Sequence, residues 1–284
     1  MEIIDGKIIA QKIIDKLKNQ PKPEKILAAV LVGSTGSPQA AISENFLKQK
    51  EKIAKELSID FRIYKFPASS ASGLKNDDLR KEVLKIALLK RVGGVIVQLP
   101  LPKHLNKHYI LNVIPREKDI DVLGERALGA FYVGRNPVLP PAVATLDEIL
   151  QTINCDLRDK KAAVVGAGFL VGKPIAVWLM NQVRELKIFE KNSDLSDLKN
   201  YDLIISGVGQ AGLIKPEMLK DGAGVIDFGY SFDENGKIRG DFDSSQRSNI
   251  KSQSLFYTPT PGGTGPILVA KLFENFYKLT GVVK

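Results

Sequence analysis

The chain has 284 residues, enough for two domains of ordinary size, and its 44% hydrophobic and 26% charged residues are those of a soluble globular protein. No apolar run approaches the roughly 18 residues that a membrane span needs. The net charge of +9 raises nucleic-acid binding, but acids interrupt the lysines of residues 48–55 and no zinc-finger or aromatic RNA-binding signature is present; an anionic ligand or a solvated basic face explains the charge as well.

The first half alternates helix and strand signals. An amphipathic helix is predicted over residues 8–18, a strand over 28–33 and a helix over 43–57. A strand over 61–66, a helix over 79–89 and a strand over 94–98 follow. Such alternation predicts parallel βαβ units. The last strand, an apolar run from Gly94, delivers Gln98 to its carboxyl end, where open α/β sheets bind ligands. Leu99-Pro100-Leu101-Pro102 continues it as a rigid loop.

The pattern then restarts. A helix is predicted over residues 146–152, a polar connector over 154–160 and a strand over 161–165. That strand runs into Gly166-Ala167-Gly168-Phe169-Leu170-Val171-Gly172 and a helix over 174–181. Further strands are predicted over 186–189, 203–206 and 224–228. A glycine turn between a strand and a helix lets backbone approach a pyrophosphate and offers free helix amides. Glu190, at the end of the next strand, suits an adenosine ribose and would repel a 2′-phosphate; Lys191 beside it leaves NAD and NADP both open. Thr258-Pro-Thr-Pro261-Gly262-Gly263-Thr-Gly-Pro266 is too rigid and glycine-rich for a strand or helix interior, and it ends on a proline suited to the first turn of a helix over 267–277.

One cysteine, Cys155, rules out an intrachain disulfide and fits a reducing cytoplasm. Only His104 and His108 join it as thiol or imidazole ligands, so no metal site is expected. The opening Met1-Glu-Ile-Ile-Asp-Gly-Lys7 lacks a basic and then apolar leader. No nucleic-acid or membrane partner is expected. Phe46 and Lys50 lie four apart on one helix face, an aromatic ring beside a potential proton carrier, useful only if burial or charge lowers the lysine pKa.

Together these segments resemble the bifunctional methylenetetrahydrofolate dehydrogenase/methenyltetrahydrofolate cyclohydrolase family over nearly the whole chain. The resemblance takes in Ile4-Asp5-Gly6-Lys7, the Ser43…Phe46…Lys50…Lys52 helix, Val97 to Pro102 and Lys118-Asp119-Ile120-Asp121. It continues through Val171-Gly172-Lys173-Pro174, Val225-Ile226-Asp227-Phe228-Gly229, Gly240-Asp241-Phe242-Asp243 and Pro261 to Pro266. It implies a two-domain α/β fold: an amino-terminal α/β substrate domain (1–142 and 267–284, the last helix returning to it) and a Rossmann-like nicotinamide-cofactor domain (143–266), with folate in the cleft. It implies oxidation of methylene-tetrahydrofolate with NAD or NADP, hydrolysis of the methenyl product to 10-formyl-tetrahydrofolate, and a homodimer. Lys50 would handle protons, Gln98 would tune it and Asp121 would bind the pterin. Phe46, Leu99, Pro100, Pro261, Gly262 and Gly263 would line the folate. Gly166, Ala167, Gly168, Val171, Gly172, Lys173, Pro174, Glu190 and Lys191 would hold the cofactor.

The chain departs from the family pattern in four places. Phe46 replaces a tyrosine. Pro140-Pro141-Ala142-Val143-Ala144-Thr145 replaces Pro-Cys-Thr-Pro-x-Gly. Gly166-Ala167-Gly168 replaces Gly-Arg-Ser, and Glu190-Lys191 replaces a His-Ser. The last two remove charge-assisted bonds to a cofactor phosphate and favour NAD. A member with only one of the activities, or a folate-binding protein without catalysis, is the alternative.

Overall fold

The computed structural model describes residues 2–33, 38–67, 73–233, 236–245 and 256–283; the side chains of 38–43, Ser43 among them, lie outside that set. The chain divides into two compact units, one of residues 12–141 and 269–284, the other of residues 1–11 and 142–268. The amino-terminal residues thus group with the second unit rather than with the substrate domain expected from sequence. Their strand β1 (Glu2–Ile3) is hydrogen-bonded into the second unit's sheet, and helix α1 (Gly6–Lys18) spans the division.

The unit of 12–141 and 269–284 holds β2 (Ile26–Val32), α2 (Pro38–Glu56), β3 (Phe61–Phe66), α3 (Asn76–Leu88) and β4 (Val92–Val97). The short helices α4 (Lys107–Leu111) and α5 (Glu125–Tyr132) follow. The three strands form a parallel sheet in the order β3-β2-β4. Strand β4 is buried throughout, as a parallel strand covered on both faces must be. Leu79, Val83, Ile86 and Ala87 make one apolar stripe on α3. Beyond its end, the Lys118 ammonium donates to the carbonyls of Ala87 (2.6 Å) and Leu89 (3.1 Å), satisfying acceptors that a helix terminus leaves open.

The unit of 1–11 and 142–268 holds α6 (Pro141–Thr152), whose first residue lies just across the division, then β5 (Lys161–Val165), α7 (Gly172–Leu179), β6 (Glu185–Phe189), β7 (Leu203–Ser206) and β8 (Gly224–Asp227). An antiparallel hairpin of two-residue strands, β9 (Ser231–Phe232) with β10 (Ile238–Arg239), precedes β11 (Phe256–Tyr257). Six strands form one parallel sheet in the order β1-β11-β8-β7-β5-β6. Ala163, Phe189, Leu198, Tyr201, Ile204 and Tyr257 belong to its buried core. Strand order reverses at β5: β6 lies on one side, and β7, β8 and β11 follow on the other. Ligands bind outside the carboxyl ends of strands at such a switch point. Helix α8 (Thr264–Leu279) closes the described chain, with Pro266 in its first turn.

Candidate active site

Lys50 and Gln98 come together within one unit. Helix α2 presents Lys50, which is only 6% exposed. Gln98 follows β4 directly, and its backbone N–H donates to the Val30 carbonyl of β2 at 2.9 Å. The Lys50 ammonium donates to Gln98 Oε1 at 2.9 Å, while Gln98 Nε2 donates to the Leu99 carbonyl at 3.0 Å. The side-chain amide is therefore oriented with its oxygen toward the lysine. Burial pushes the Lys50 pKa down, and the negative charge of Asp121 opposes that shift. Burial pushes Asp121 up, and Lys50 opposes it in turn. Each member thus moves the other's proton affinity, the arrangement expected where a lysine must exchange protons near neutral pH.

Asp121 is held by residues that sequence reasoning left without a role. Asp119 is buried, and its Oδ2 accepts from the backbone N–H of Leu123 (3.0 Å) and Gly124 (2.7 Å). Between them Val122 sits at φ 56°, a conformation that a β-branched residue adopts only when its surroundings impose it. Burial lifts the Asp119 pKa to about 6, partly offset by those backbone bonds. Asn275 of α8 donates to the carbonyls of Ile120 and Leu139, both at 2.9 Å. Two carboxylates separated by one residue thus differ in kind: Asp119 fixes the turn, and Asp121 is coupled to Lys50. Their spacing in the motif was visible in the sequence, but the division of labour was not.

Of the other expected substrate residues, Phe46 is half-buried one turn before Lys50, Leu99 is half-buried and Pro100 is exposed. Pro261, Gly262 and Gly263 belong to the other unit. There the Gly6 N–H donates to the Gly262 carbonyl at 2.9 Å, and a Cβ on Gly6 would fall 1.7 Å from the Gly263 carbonyl oxygen. The Ile4-Asp5-Gly6-Lys7 motif is therefore a buttress for this loop.

The glycine turn lies where expected, at the carboxyl end of β5. Gly166 has φ +88°, and a Cβ on Gly172 would fall 1.8 Å from the Gly166 carbonyl oxygen. That contact fixes the start of α7, with Val171 just before it, making no side-chain capping bond, and Lys173 and Pro174 in the first turn. Gly168 differs: a Cβ there would meet only the Gly207 carbonyl, at 3.9 Å. Among the described residues nothing requires that glycine, and the space before it suits a dinucleotide backbone. Ala167 is half-buried. Glu190 and Lys191 are exposed at the end of β6, in a turn closed by Glu190 N–H to Ser193 Oγ and Ser193 N–H to the Glu190 carbonyl, each 2.9 Å. Among the described residues, no cluster of three His, Cys, Asp or Glu is placed to hold a metal ion, and no helix is long and apolar enough to cross a membrane.

Both units have counterparts in known proteins. Residues 4–121 match the catalytic domain of tetrahydrofolate dehydrogenase/cyclohydrolase, and residues 140–282 match its NAD(P)-binding domain. The chain is 32% identical to the bifunctional protein FolD of Listeria innocua over 98% of its own length and 96% of that protein. Its structure is similar to that of the bifunctional methylenetetrahydrofolate dehydrogenase/cyclohydrolase of Campylobacter jejuni, with a TM-score of 0.88, 31% identity and 99% of each chain covered. It is also similar to the enzyme of Trypanosoma brucei complexed with NADP and an inhibitor, with a TM-score of 0.86, 25% identity, and 98% of this chain and 97% of that one covered. The two family models together span most of the chain, both units are covered by the similar structures, and the chain belongs to the tetrahydrofolate dehydrogenase/cyclohydrolase family.

Proposed function

We propose that this chain catalyses both reactions of its family, with the buried Lys50–Gln98 contact at 2.9 Å as the observation that carries the reading. Methylene-tetrahydrofolate gives up a hydride from the carbon bridging its two nitrogens, leaving a methenyl cation. The nicotinamide, when bound, accepts that hydride. The residues of the glycine turn hold the dinucleotide, and their task is positioning.

The second reaction is proton transfer. Water adds to the methenyl carbon and loses a proton; the hydroxyl it leaves then gives up its own proton to become the formyl carbonyl as one carbon–nitrogen bond breaks and the departing nitrogen is protonated, so that one proton is released to solvent overall. Lys50, poised by burial, takes the first proton and returns it. Gln98 keeps the Nζ in place and offers no charge that would raise its pKa again. Asp121 holds the pterin through hydrogen bonds while sustaining the field at Lys50. Phe46 lies on the same helix face and stacks on the substrate's aromatic ring, without the hydroxyl that tyrosine would add. Leu99, Pro100 and the Pro261 to Gly263 loop line the folate.

The cofactor is NAD in preference to NADP. Ala167 supplies no charge for a 2′-phosphate, and the exposed Glu190 repels one. By resemblance, the chain works as a cytoplasmic homodimer, and sedimentation velocity checks the subunit count.

Methenyl absorbance, followed after mixing the protein with methylene-tetrahydrofolate and either dinucleotide, tests the reading. A rise followed by enzyme-dependent decay is expected, and the decay should vanish in Lys50→Met. A rise with no catalysed decay would leave a dehydrogenase alone. No rise with either dinucleotide would remove the oxidoreductase.

A further inference from the structure

Two buried carboxylates of the cofactor unit take no part in the chemistry above. Asp241, wholly buried, lies after the β9–β10 hairpin and reaches the carboxyl end of β7. It accepts from Ser206 Oγ (2.6 Å), from the Val208 N–H (2.7 Å) and from the Gln210 N–H (2.7 Å). The loop it grips, residues 207–210, leaves β7 at the switch point of the sheet. That loop packs on the glycine turn: a Cβ on Gly166 would meet Val208 Cγ2 at 2.9 Å, and one on Gly207 would meet Val171 Cγ1 at 2.7 Å.

Asp241 is itself anchored. Its carbonyl accepts from the Ile214 N–H at 2.8 Å, and the Ile214 carbonyl accepts from the Asp243 N–H at 2.9 Å. The second carboxylate, Asp227 at the end of β8, accepts from the N–H of Gly229 (2.6 Å) and Phe242 (2.9 Å). The approach is close enough to require two glycines. A Cβ on Gly229 would lie 2.3 Å from Asp241 Cγ, and one on Gly240 would lie 2.1 Å from Asp227 Oδ2. The Asp227…Gly229 and Gly240-Asp241 motifs therefore form one clasp.

We propose that Asp241 is a positioning residue for dinucleotide binding: by gathering Ser206, Val208 and Gln210 it sets the loop 207–210 against the glycine turn and so shapes the cofactor's seat. This rests on the reading that the dinucleotide binds at that turn. A carboxylate offers two acceptor oxygens, one for each backbone N–H. Asparagine offers one, and its amide group would face the Val208 or Gln210 N–H donor to donor.

The test is equilibrium titration of the full-length protein with NAD and NADP, for the unsubstituted chain, Asp241→Asn and Ser206→Ala. Asp241→Asn should weaken dinucleotide binding about tenfold or more, as loss of a hydrogen bond to a charged acceptor does. Methenyl-tetrahydrofolate hydrolysis, carried by Lys50 in the other unit, should stay within about twofold, a split that general unfolding would not give. Ser206→Ala removes one hydroxyl donor and should weaken binding by about two- to fivefold; it carries the test if Asp241→Asn does not fold. Unchanged dinucleotide affinity in the folded variants, or equal loss of both activities, overturns the positioning role. If the unsubstituted protein binds neither dinucleotide, the functional reading fails first, and this inference with it.

Discussion

Lys50 and Gln98 stand 48 residues apart in the chain and 2.9 Å apart at their polar tips, one on a helix and the other at the end of a strand. The contact is neutral on the glutamine side, so it orients the lysine while favouring its charged form less than a carboxylate would. Gln98→Glu keeps the shape and adds a negative charge, which favours the ammonium. The Lys50 pKa should rise, and the pH–rate profile of methenyl hydrolysis should move to higher pH, with reduced turnover at pH 7. A profile that stays in place would detach Gln98 from the proton transfer.

Phe46 shares a helix face with Lys50. Phe46→Tyr restores a hydroxyl at a half-buried position. A hydrogen bond from it is worth about 0.5–1.5 kcal/mol, or up to about tenfold in rate. Methenyl hydrolysis should quicken, with dinucleotide affinity untouched. An unchanged or lower rate would mean that the site has adapted to the bare ring.

Glu190 directly follows β6 and is exposed to solvent. Replacing it by serine removes the charge that a 2′-phosphate would meet. The ratio of kcat/KM for NADP to that for NAD should rise in Glu190→Ser, chiefly through KM for NADP. No movement of the ratio would take Glu190 out of cofactor choice.

Asp227 titrates at about 7 in the folded chain, against 3.8 for an ordinary carboxyl, because burial and the charge of Asp241 disfavour its ionisation. The folded state therefore holds this proton more tightly than the unfolded state does. The resulting stabilisation is complete below about pH 4, declines as the pH rises toward about 7 and is absent above it. Asp119, at about 6, slopes the same way. The urea midpoint should rise between pH 8 and pH 6, and by less in Asp227→Asn. Identical slopes in the two proteins would show that Asp227 is ionised throughout.

Much of this was legible in the sequence. The strands 61–66, 161–165 and 203–206 have the predicted bounds, because apolar runs between turn residues leave little choice. The helices begin earlier than predicted: α3 at Asn76, α6 at Pro141 and α8 at Thr264, since polar or proline-containing first turns carry no apolar stripe. Helices α4 and α5 were not anticipated, although Asn106 caps the first by accepting from the N–H groups of His108 and Tyr109. Strands β1 and β11 are two residues each, too short for periodicity to register. In the site, Lys50 and Gln98 were singled out from their places on a helix and at a strand end, and their roles came from the family resemblance. The tasks of Asp119, Asp227 and Asp241 were not, because a carboxylate's work is fixed by donors elsewhere. Asp241 finds its hydroxyl partner 35 residues away, and no local pattern encodes that.

Strand β1 pairs with β11, residue 2 against 256 and residue 3 against 257. Strand β1 therefore waits for its partner about 250 residues later in the chain. At about 5–20 residues per second, that delay is on the order of 10–50 s. Throughout it the outer edge of the large sheet is open, and the Pro261 to Gly263 loop has yet to meet its buttress at Gly6. The substrate unit's three-strand sheet, complete by residue 97, can assemble long before. Synthesis thus makes the two sheets at different times, while α8, whose Asn275 holds the Ile120 carbonyl, joins the substrate unit only after β11.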